Sequence, residues 1–172
     1  MGEEEVLYRG NHIELVRNGK WEFARRANAK AVVGIVAVTE AGELLLVEQF
    51  RVPVGGPVIE LPAGLVGDEA PAEDLLDAAR RELEEETGYT AAQLSVLSRV
   101  PSSAGLTDET VTLVRASGLR STGSGGGVAD EEIQIHRMPV ADVSAWLAAR
   151  TAKGQLIDPR VFAALWWLER EA

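Results

Sequence analysis

The chain has 172 residues, of which 46% are hydrophobic, and a formal net charge of −10 at pH 7. This length and composition favour one domain with a packed core, and the negative charge argues against a nucleic-acid backbone or an anionic membrane as partner, because both bind clustered Lys and Arg. The chain contains no Cys, which excludes disulfides, thiolate catalysis and zinc–thiolate sites.

The N-terminal residues and the apolar stretches bear on localisation. Residues 1–5 read Met-Gly-Glu-Glu-Glu and lack the apolar run of a secretory signal. The uninterrupted apolar stretches are far shorter than the roughly 18 residues of a membrane span. We therefore expect a cytoplasmic protein whose partner is a small molecule.

An antiparallel hairpin is predicted near the N-terminus. Residues 12–17 and 21–26 flank Asn18-Gly19, and two strands joined by Asn-Gly are the strongest short-range signal for a β-hairpin. We take residues 1–30 as an N-terminal hairpin segment and residues 31–172 as the main domain.

The main domain mixes strands with helices. Apolar or alternating runs predict strands at 31–38, 43–50, 58–61, 93–100, 110–115 and 132–137. Helical periodicity predicts helices at 72–87, 140–150 and 159–170, with Asp158 as the N-cap of the last. Strands and helices in this order favour an α/β fold in which a mixed sheet lies between helices.

Three carboxylates share one face of the helix predicted at residues 72–87. Glu82, Glu85 and Glu86 stand at i, i+3 and i+4, so their like charges repel by about 0.2–0.5 kcal/mol per pair. A bound cation would remove this repulsion, and carboxylate oxygens favour Mg²⁺ or Mn²⁺. The alternative for a Glu-rich helix is a solvated acidic face.

The helix belongs to a longer pattern of fixed spacing. A glycine is followed after five residues by a glutamate, and after seven more by an Arg-Glu pair. The residues at the defining positions are Gly67, Glu73, Arg81, Glu82, Leu83, Glu85, Glu86, Gly88 and Tyr89. This pattern resembles the Nudix box, the signature of hydrolases that act on nucleoside diphosphates linked to another moiety. The resemblance implies an α/β/α sandwich in which Glu82, Glu85 and Glu86 bind divalent cations at a substrate pyrophosphate and Arg81 orients one of them.

One triplet departs from the usual spacing of the box. In many relatives of this family the box glycine ends a Pro-Ala-Gly triplet, whereas Pro62-Ala63-Gly64 lies three residues before Gly67. We interpret this as a three-residue extension of the loop before the helix. The family uses a backbone carbonyl as a further metal ligand, and either Ala63 or a later residue would supply it.

Segments outside the box resemble the ADP-ribose pyrophosphatase branch of the family. They are residues 47–51, 53–56, 60–64 and 105–109. The resemblance implies that water cleaves ADP-ribose to AMP and ribose 5-phosphate. GDP-mannose or another nucleotide sugar is the alternative substrate, and a non-catalytic nucleotide-binding sensor is the alternative of another class, which the intact box glutamates disfavour.

Four residues outside the box are predicted to act in the site. Arg51 follows a buried strand and precedes a loop, where a guanidinium can reach phosphate oxygens. By resemblance to the branch, Trp21 stacks on adenine and Arg26 binds the substrate, although a lone Trp is more often part of a core. Glu131 follows a Gly-rich loop and, again by resemblance, assists catalysis as the base for water. Its alternative is a solvated loop charge.

The branch resemblance also bears on assembly. Its members are commonly homodimers whose N-terminal strands reach the partner's site. The resemblance therefore implies a homodimer in which residues 1–30 contact the second subunit. The residue pattern by itself predicts no interface.

Overall fold

In the part of the chain that the structure describes, seven strands precede the first α-helix, and strands and helices are mixed after it. The computed structural model describes residues 3–29, 31–67, 72–127 and 132–171. In chain order its elements are β1 (Glu4–Arg9), β2 (Ile13–Asn18), β3 (Trp21–Arg26), β4 (Ala31–Ala37), β5 (Glu43–Arg51), a 3₁₀ turn (Val52–Val54), β6 (Gly56–Glu60), β7 (Ala63–Val66), α1 (Leu75–Thr87), β8 (Tyr89–Pro101), β9 (Thr110–Ser121), β10 (Gln134–Pro139), α2 (Val140–Thr151), β11 (Leu156–Ile157) and α3 (Pro159–Glu171). None of the helices in these ranges is long and apolar enough to cross a membrane.

Within the described ranges the strands form three sheets. The N-terminal sheet has the order β1-β2-β3 and is antiparallel throughout. The other two have the orders β7-β4-β9-β8 and β10-β5-β6-β11. Each of these combines antiparallel neighbours with one parallel pair, β4 with β9 and β6 with β11. The sheets that carry the main domain are therefore mixed, as the sequence predicts.

Helices cover both sides of the central strands. On β4, Val33 and Ile35 pack in one buried cluster with Leu83 of α1, whereas Val32 and Val36 belong to a second cluster with α2 and α3. The split arises because successive side chains of a strand point to opposite faces. Full burial of a side chain such as Leu83 contributes about 1.5–3 kcal/mol, which anchors α1 to the sheet. The predicted α/β/α sandwich is confirmed.

The predicted N-terminal hairpin is present, and one further strand joins it. β2 and β3 connect through Asn18-Gly19, whose glycine has φ 60°. The sequence pattern does not predict β1, because its acidic residues have low strand propensity. It forms by antiparallel pairing of its backbone with β2, and exposed ion pairs accompany this pairing: Arg17 contacts Glu5 at 3.4 Å, and Arg25 of β3 contacts Glu4 at 3.0 Å.

The boundaries of α1 differ from the prediction at one end. The helix begins at Leu75 because the Asp74 side chain caps it, accepting a hydrogen bond from Leu76 N at 2.9 Å. The predicted start at residue 72 is therefore wrong by three residues. The predicted end is confirmed by Gly88, whose φ of 70° is a conformation that glycine adopts without a steric penalty. β7 lies where the sequence predicts only a loop, and it gains its hydrogen bonds by pairing with β4.

Candidate active site

The packing of α1 determines which of its carboxylates face the adjoining loop. Leu83 and Ala79 are one turn apart and fully buried against the sheet. Glu82 and Glu86, also one turn apart, lie beside this buried face and line a cleft. Glu86 is itself buried, and its Oε2 accepts a hydrogen bond from Ala63 N at 3.1 Å. The start of β7 is thereby tied to the last turn of the helix.

The two glycines of the irregular loop both contact box carboxylates. A Cβ on Gly64 would overlap the carboxylate of Glu82, so only glycine leaves room for that side chain. Gly67, at φ 82°, donates its N–H to Glu73 Oε2 at 3.4 Å. Ala63 and Gly64 thus lie beside the carboxylates of the helix despite their unusual spacing in the sequence. The extension continues into residues 68–71, which lie outside the described ranges.

Arg81 connects several of the acidic groups of the box. Its Nε lies 3.0 Å from Glu73 Oε1, and its Nη1 lies 3.0 Å from Glu82 Oε1 and 3.1 Å from Glu85 Oε2. The Arg81 Nη2 donates to the Leu65 carbonyl oxygen at 3.3 Å. The hydrogen bond to Glu73 raises the pKa of Arg81, and the same bond lowers the pKa of Glu73. Arg81 therefore stays charged and offsets part of the repulsion between the glutamates that a bound cation would otherwise remove.

A cleft of about 650 Å³ is lined both by residues of the box and by the two predicted substrate-binding arginines. Its charged lining consists of Arg26, Arg51, Arg160, Glu60, Glu82, Glu86, Glu109 and Asp158. Ala63 and Gly64 line it as well, which brings five of the predicted site residues into one cavity. Because five carboxylates face three guanidinium groups, the cleft carries an excess of negative charge that a divalent cation would balance.

Two carboxylates of the cleft pair with the predicted substrate-binding arginines. Glu60 Oε2 lies 2.7 Å from Arg51 Nη2, and Glu109 forms a short ion pair with Arg26. Burial alone would raise the pKa of Glu109, but hydrogen bonds from Ser102 and Arg26 outweigh it and lower that pKa. Neither glutamate is among the residues predicted from the sequence. Glu60 could have been identified from the sequence, since it is a charged residue within an apolar run of strand residues.

Among the described residues, Trp21, Arg81 and Glu85 are predicted site residues that do not line this cleft. Trp21 is 59% exposed and lines a separate hollow of about 410 Å³ with Phe23 and the loop that contains Gly105. Glu85 does not line the cleft and contacts Arg81 instead. Glu131 lies outside the described residues, so its role stays a prediction.

The donor atoms of the cleft suit a hard divalent cation. Among the described residues, no three Asp, Glu or His side chains are grouped closely enough to hold one ion. Mg²⁺ does not need such a cage, since it commonly binds one or two carboxylates and completes its octahedron with water and substrate phosphates. Glu82 and Glu86 supply those carboxylates, and the close approach at Gly64 makes room for one of them.

Comparisons with known proteins agree with this geometry. The model of the NUDIX domain matches residues 28–159. Over 122 residues the chain is 34% identical to an ADP-ribose pyrophosphatase of Bacillus subtilis (strain 168), covering 67% of this chain and 64% of that protein. It is also 34% identical over 116 residues to a methanol dehydrogenase activator of Bacillus methanolicus, covering 67% of this chain and 60% of that protein. Each alignment spans less than two thirds of the relative's own length.

The same fold occurs among solved structures. A crystal structure of an ADP compounds hydrolase superposes with a TM-score of 0.73 over 99% of this chain and 94% of that one. At 21% identity this likeness concerns the fold alone. The family assignment rests on the domain match, which covers most of the chain and includes the whole box. The chain belongs to the Nudix family.

Proposed function

We propose that the chain is a cation-dependent pyrophosphohydrolase of nucleoside diphosphate sugars, and that ADP-ribose is its preferred substrate. The observation that carries the proposal is the single cleft in which the carboxylates of α1 face Arg26 and Arg51. Such a cavity combines ligands for a divalent cation with donors for phosphate oxygens. The name of the Bacillus subtilis relative supports the choice of ADP-ribose.

Two of the box roles follow from its contacts. Family members generally need a divalent metal, and we propose that Glu82, Glu86 and the carbonyl of Ala63 hold Mg²⁺ or Mn²⁺, and that Glu85, which contacts Arg81 in this structure, joins them as a ligand when the cation binds. The bound cation would neutralise phosphoryl oxygens and lower the pKa of a coordinated water. Arg81 holds Glu82 and Glu85 in place through its two hydrogen bonds. This agrees with the orienting role that the family resemblance implies.

The reaction balances with water as the only co-substrate. Water oxygen forms a new bond to one phosphorus of ADP-ribose, the bond from that phosphorus to the bridging oxygen breaks, and AMP and ribose 5-phosphate leave. Arg51 and Arg26 bind the phosphate oxygens and hold the reacting atoms in line. A base must accept the proton of the attacking water.

We assign that base to Glu131. The support comes from the glycine-rich loop that precedes it: Gly126 N donates to the Glu86 carbonyl at 2.9 Å, and Gly127 N to the Glu85 carbonyl at 3.1 Å. The loop is thus fixed to the last turn of α1. Glu131 follows four residues after Gly127 in the sequence, and this closeness along the chain to a loop bound to α1 supports the assignment.

A coupled assay over several nucleotide sugars tests the proposal. Because the products carry phosphomonoesters, an added phosphatase releases inorganic phosphate only after the pyrophosphate is cleaved. We expect ADP-ribose to give the highest kcat/KM among ADP-ribose, ADP-glucose, GDP-mannose and UDP-glucose, with activity lost in EDTA and restored by Mg²⁺ or Mn²⁺. Activity confined to GDP-mannose would contradict the assignment of ADP-ribose and leave the pyrophosphohydrolase in place.

We further propose a homodimer formed through residues 1–30. Exposed apolar side chains share one face of the N-terminal sheet, where Tyr8 of β1 lies opposite Leu15 of β2 and Ile13 lies two residues from Leu15. A patch of this kind is typical of an interaction surface. Because Trp21 does not line the cleft of its own subunit, we propose that it stacks on a base bound in the cleft of the second subunit.

Sedimentation at micromolar concentration measures the assembly. We expect a mass twice the 18.5 kDa of one chain, and a shift toward half that mass in the Ile13→Glu variant, because a buried charge without a partner is costly. The control is Val96→Glu on β8, which is similarly exposed and lies outside the N-terminal sheet. A wild-type monomer would refute the dimer.

A further inference from the structure

A buried carboxylate joins two guanidinium groups from different elements at the edge of the cleft. Glu60 ends β6, and its side chain is only 6% exposed. Its Oε2 accepts from Arg51 Nε at 2.9 Å and lies 2.7 Å from Arg51 Nη2. Its Oε1 lies 3.8 Å from Nη2 of Arg160, in the first turn of α3. One carboxylate therefore lies between two cations that are 109 positions apart in the chain, hydrogen-bonded to Arg51 and in longer-range ionic contact with Arg160.

The two arginines are held in the same way. Arg160 contacts Asp158 through Nε at 2.7 Å and through Nη2 at 2.6 Å, just as Arg51 contacts Glu60 through Nε and Nη2. In the described part of the chain, neither Nη1 group has a protein partner. Each guanidinium thus contacts a protein carboxylate through Nε and Nη2, and its Nη1 keeps N–H donors that can bind a ligand in the cleft.

A purely structural arginine elsewhere in the chain shows the contrast. Arg115 has the same side-chain exposure as Arg160, 20%. Its Nε contacts Glu171 at 2.8 Å, and its Nη1 donates to the carbonyls of Val36 at 3.2 Å and Ala116 at 2.9 Å. Protein groups thus accept from Nε and Nη1 of Arg115, and Arg115 does not line the cleft. Arg160 differs because it lines the cleft that contains Glu82 and Glu86.

Charge balance indicates how such a pair would recognise an anion. Burial alone would lower the pKa of Arg160, but the hydrogen bond to Asp158 and the charges of Asp158, Glu60 and Glu109 together outweigh it and raise that pKa, so the guanidinium is always protonated. Because these carboxylates offset the positive charges of the two arginines, the pair binds a ligand through directed N–H donors and little through net charge. Guanidinium donors suit phosphate oxygens, which accept two parallel hydrogen bonds from one group.

We propose that Arg51 and Arg160 form one binding site for the phosphate groups of the substrate, and that Glu60 is the positioning residue that sets their separation. The inference rests on the proposed function, since it assigns the residues that receive the pyrophosphate. It adds Arg160 as a binding residue and Glu60 as a residue that acts through both arginines. Neither has a role in the Nudix box.

Binding without turnover tests this site apart from catalysis. The probe is α,β-methylene ADP-ribose, in which CH₂ replaces the bridging oxygen, titrated calorimetrically with Mg²⁺ present. Loss of one charge-assisted hydrogen bond should raise Kd roughly 10- to 100-fold in Arg160→Gln, with KM for ADP-ribose rising by a similar factor and kcat changing less. The Kd of Arg160→Lys should lie between those of wild type and Arg160→Gln, because lysine keeps the positive charge but loses the planar pair of N–H donors.

The positioning role of Glu60 needs variants that separate it from folding. Glu60→Gln keeps the shape of the side chain but removes the charge, so we expect KM and Kd to rise in the same direction as in Arg160→Gln. Glu60→Asp keeps the charge and should restore part of the affinity. Arg115→Gln is the matched control, with Kd and KM at wild-type values even if its thermal midpoint falls.

The outcomes separate the two proposals. If wild type hydrolyses ADP-ribose and Arg160→Gln binds the analogue within about twofold of wild type, a difference well below one hydrogen bond, the arginine pair is overturned and the function stands. If wild type binds the analogue, Arg160→Gln weakens binding and no nucleotide sugar is hydrolysed, the pair stands and the proposed function fails. Absence of any binding by wild type overturns the pair.

Discussion

Replacing Glu86 with Gln should lower kcat by at least roughly a hundredfold, the loss expected when a group that stabilises transition-state charge is removed. Glu86 lines the cleft and accepts a hydrogen bond from Ala63 N. The amide has nearly the same shape, so the fold should persist while the affinity for the cation falls. Glu82→Gln should act in the same direction. Rates measured over a range of Mg²⁺ concentrations give kcat and the apparent cation affinity together.

Variants of other glutamates show whether the loss of kcat in Glu86→Gln is specific to cation binding. Glu84 is exposed on the same helix, so Glu84→Gln is the matched control and should keep wild-type kinetics. Glu131→Gln should lower kcat without changing the apparent affinity for Mg²⁺, because a base does not hold the cation. If wild-type turnover on every pyrophosphate is as low as that of Glu85→Gln while nucleotide binding persists, the protein is a non-catalytic sensor.

The local features of the fold could be predicted because short-range chemistry determines them. The Asn18-Gly19 turn, the apolar run of β4 and the glycine at the end of α1 each depend on neighbours in the sequence. β1 and β7 could not be predicted, because both strands depend on partners elsewhere in the chain. β1 needs an edge of β2, with Arg17 and Arg25 contacting its acidic residues, and β7 needs an edge of β4.

The residues of the candidate site likewise divide into those that local spacing predicts and those that only the fold brings together. Fixed spacing on one helix was enough to find Glu82 and Glu86, since an α-helix places residues i and i+4 on one face. Glu60 and Arg160 come from separate elements, and only the paired β6 and β11 strands and the start of α3 bring them together. Spacing also could not show that Glu85 contacts Arg81 outside the cleft.

Trp21 shows a further limit of sequence reasoning. Its residue type and its position in the hairpin agree with a base-stacking role, but its own cleft lies elsewhere. A site completed by a second subunit cannot be read from the spacing of one chain. The sedimentation experiment tests the proposed assembly, on which this role of Trp21 depends.

Replacing Gly64 with Ala should reduce kcat roughly a hundredfold, the loss expected when a catalytic group is displaced by about 1 Å. Gly64 lies in β7 with φ outside the left-handed region, so alanine is compatible with its backbone. The three atoms nearest to the new Cβ all belong to the flexible Glu82 side chain, from its Cγ to its carboxylate. That carboxylate must move away, at a cost of about 1 kcal/mol if it leaves its preferred rotamer, which lowers Tm by only about 2–4 °C.

Substitutions at two other glycines serve as controls for Gly64→Ala. Gly56 begins β6, and a Cβ added there would meet no atom beyond its chain neighbours within 4 Å, so Gly56→Ala should retain both activity and Tm. Gly88 has φ 70°, and its Cβ would overlap backbone atoms of Gly123 and Gly125, so Gly88→Ala should lower Tm far more than Gly64→Ala does. Full activity in Gly64→Ala, measured with Tm in the same buffer, would mean that the position of Glu82 does not control the reaction. A large loss of kcat at nearly unchanged Tm would identify Gly64 as the residue that gives Glu82 its place beside the cleft.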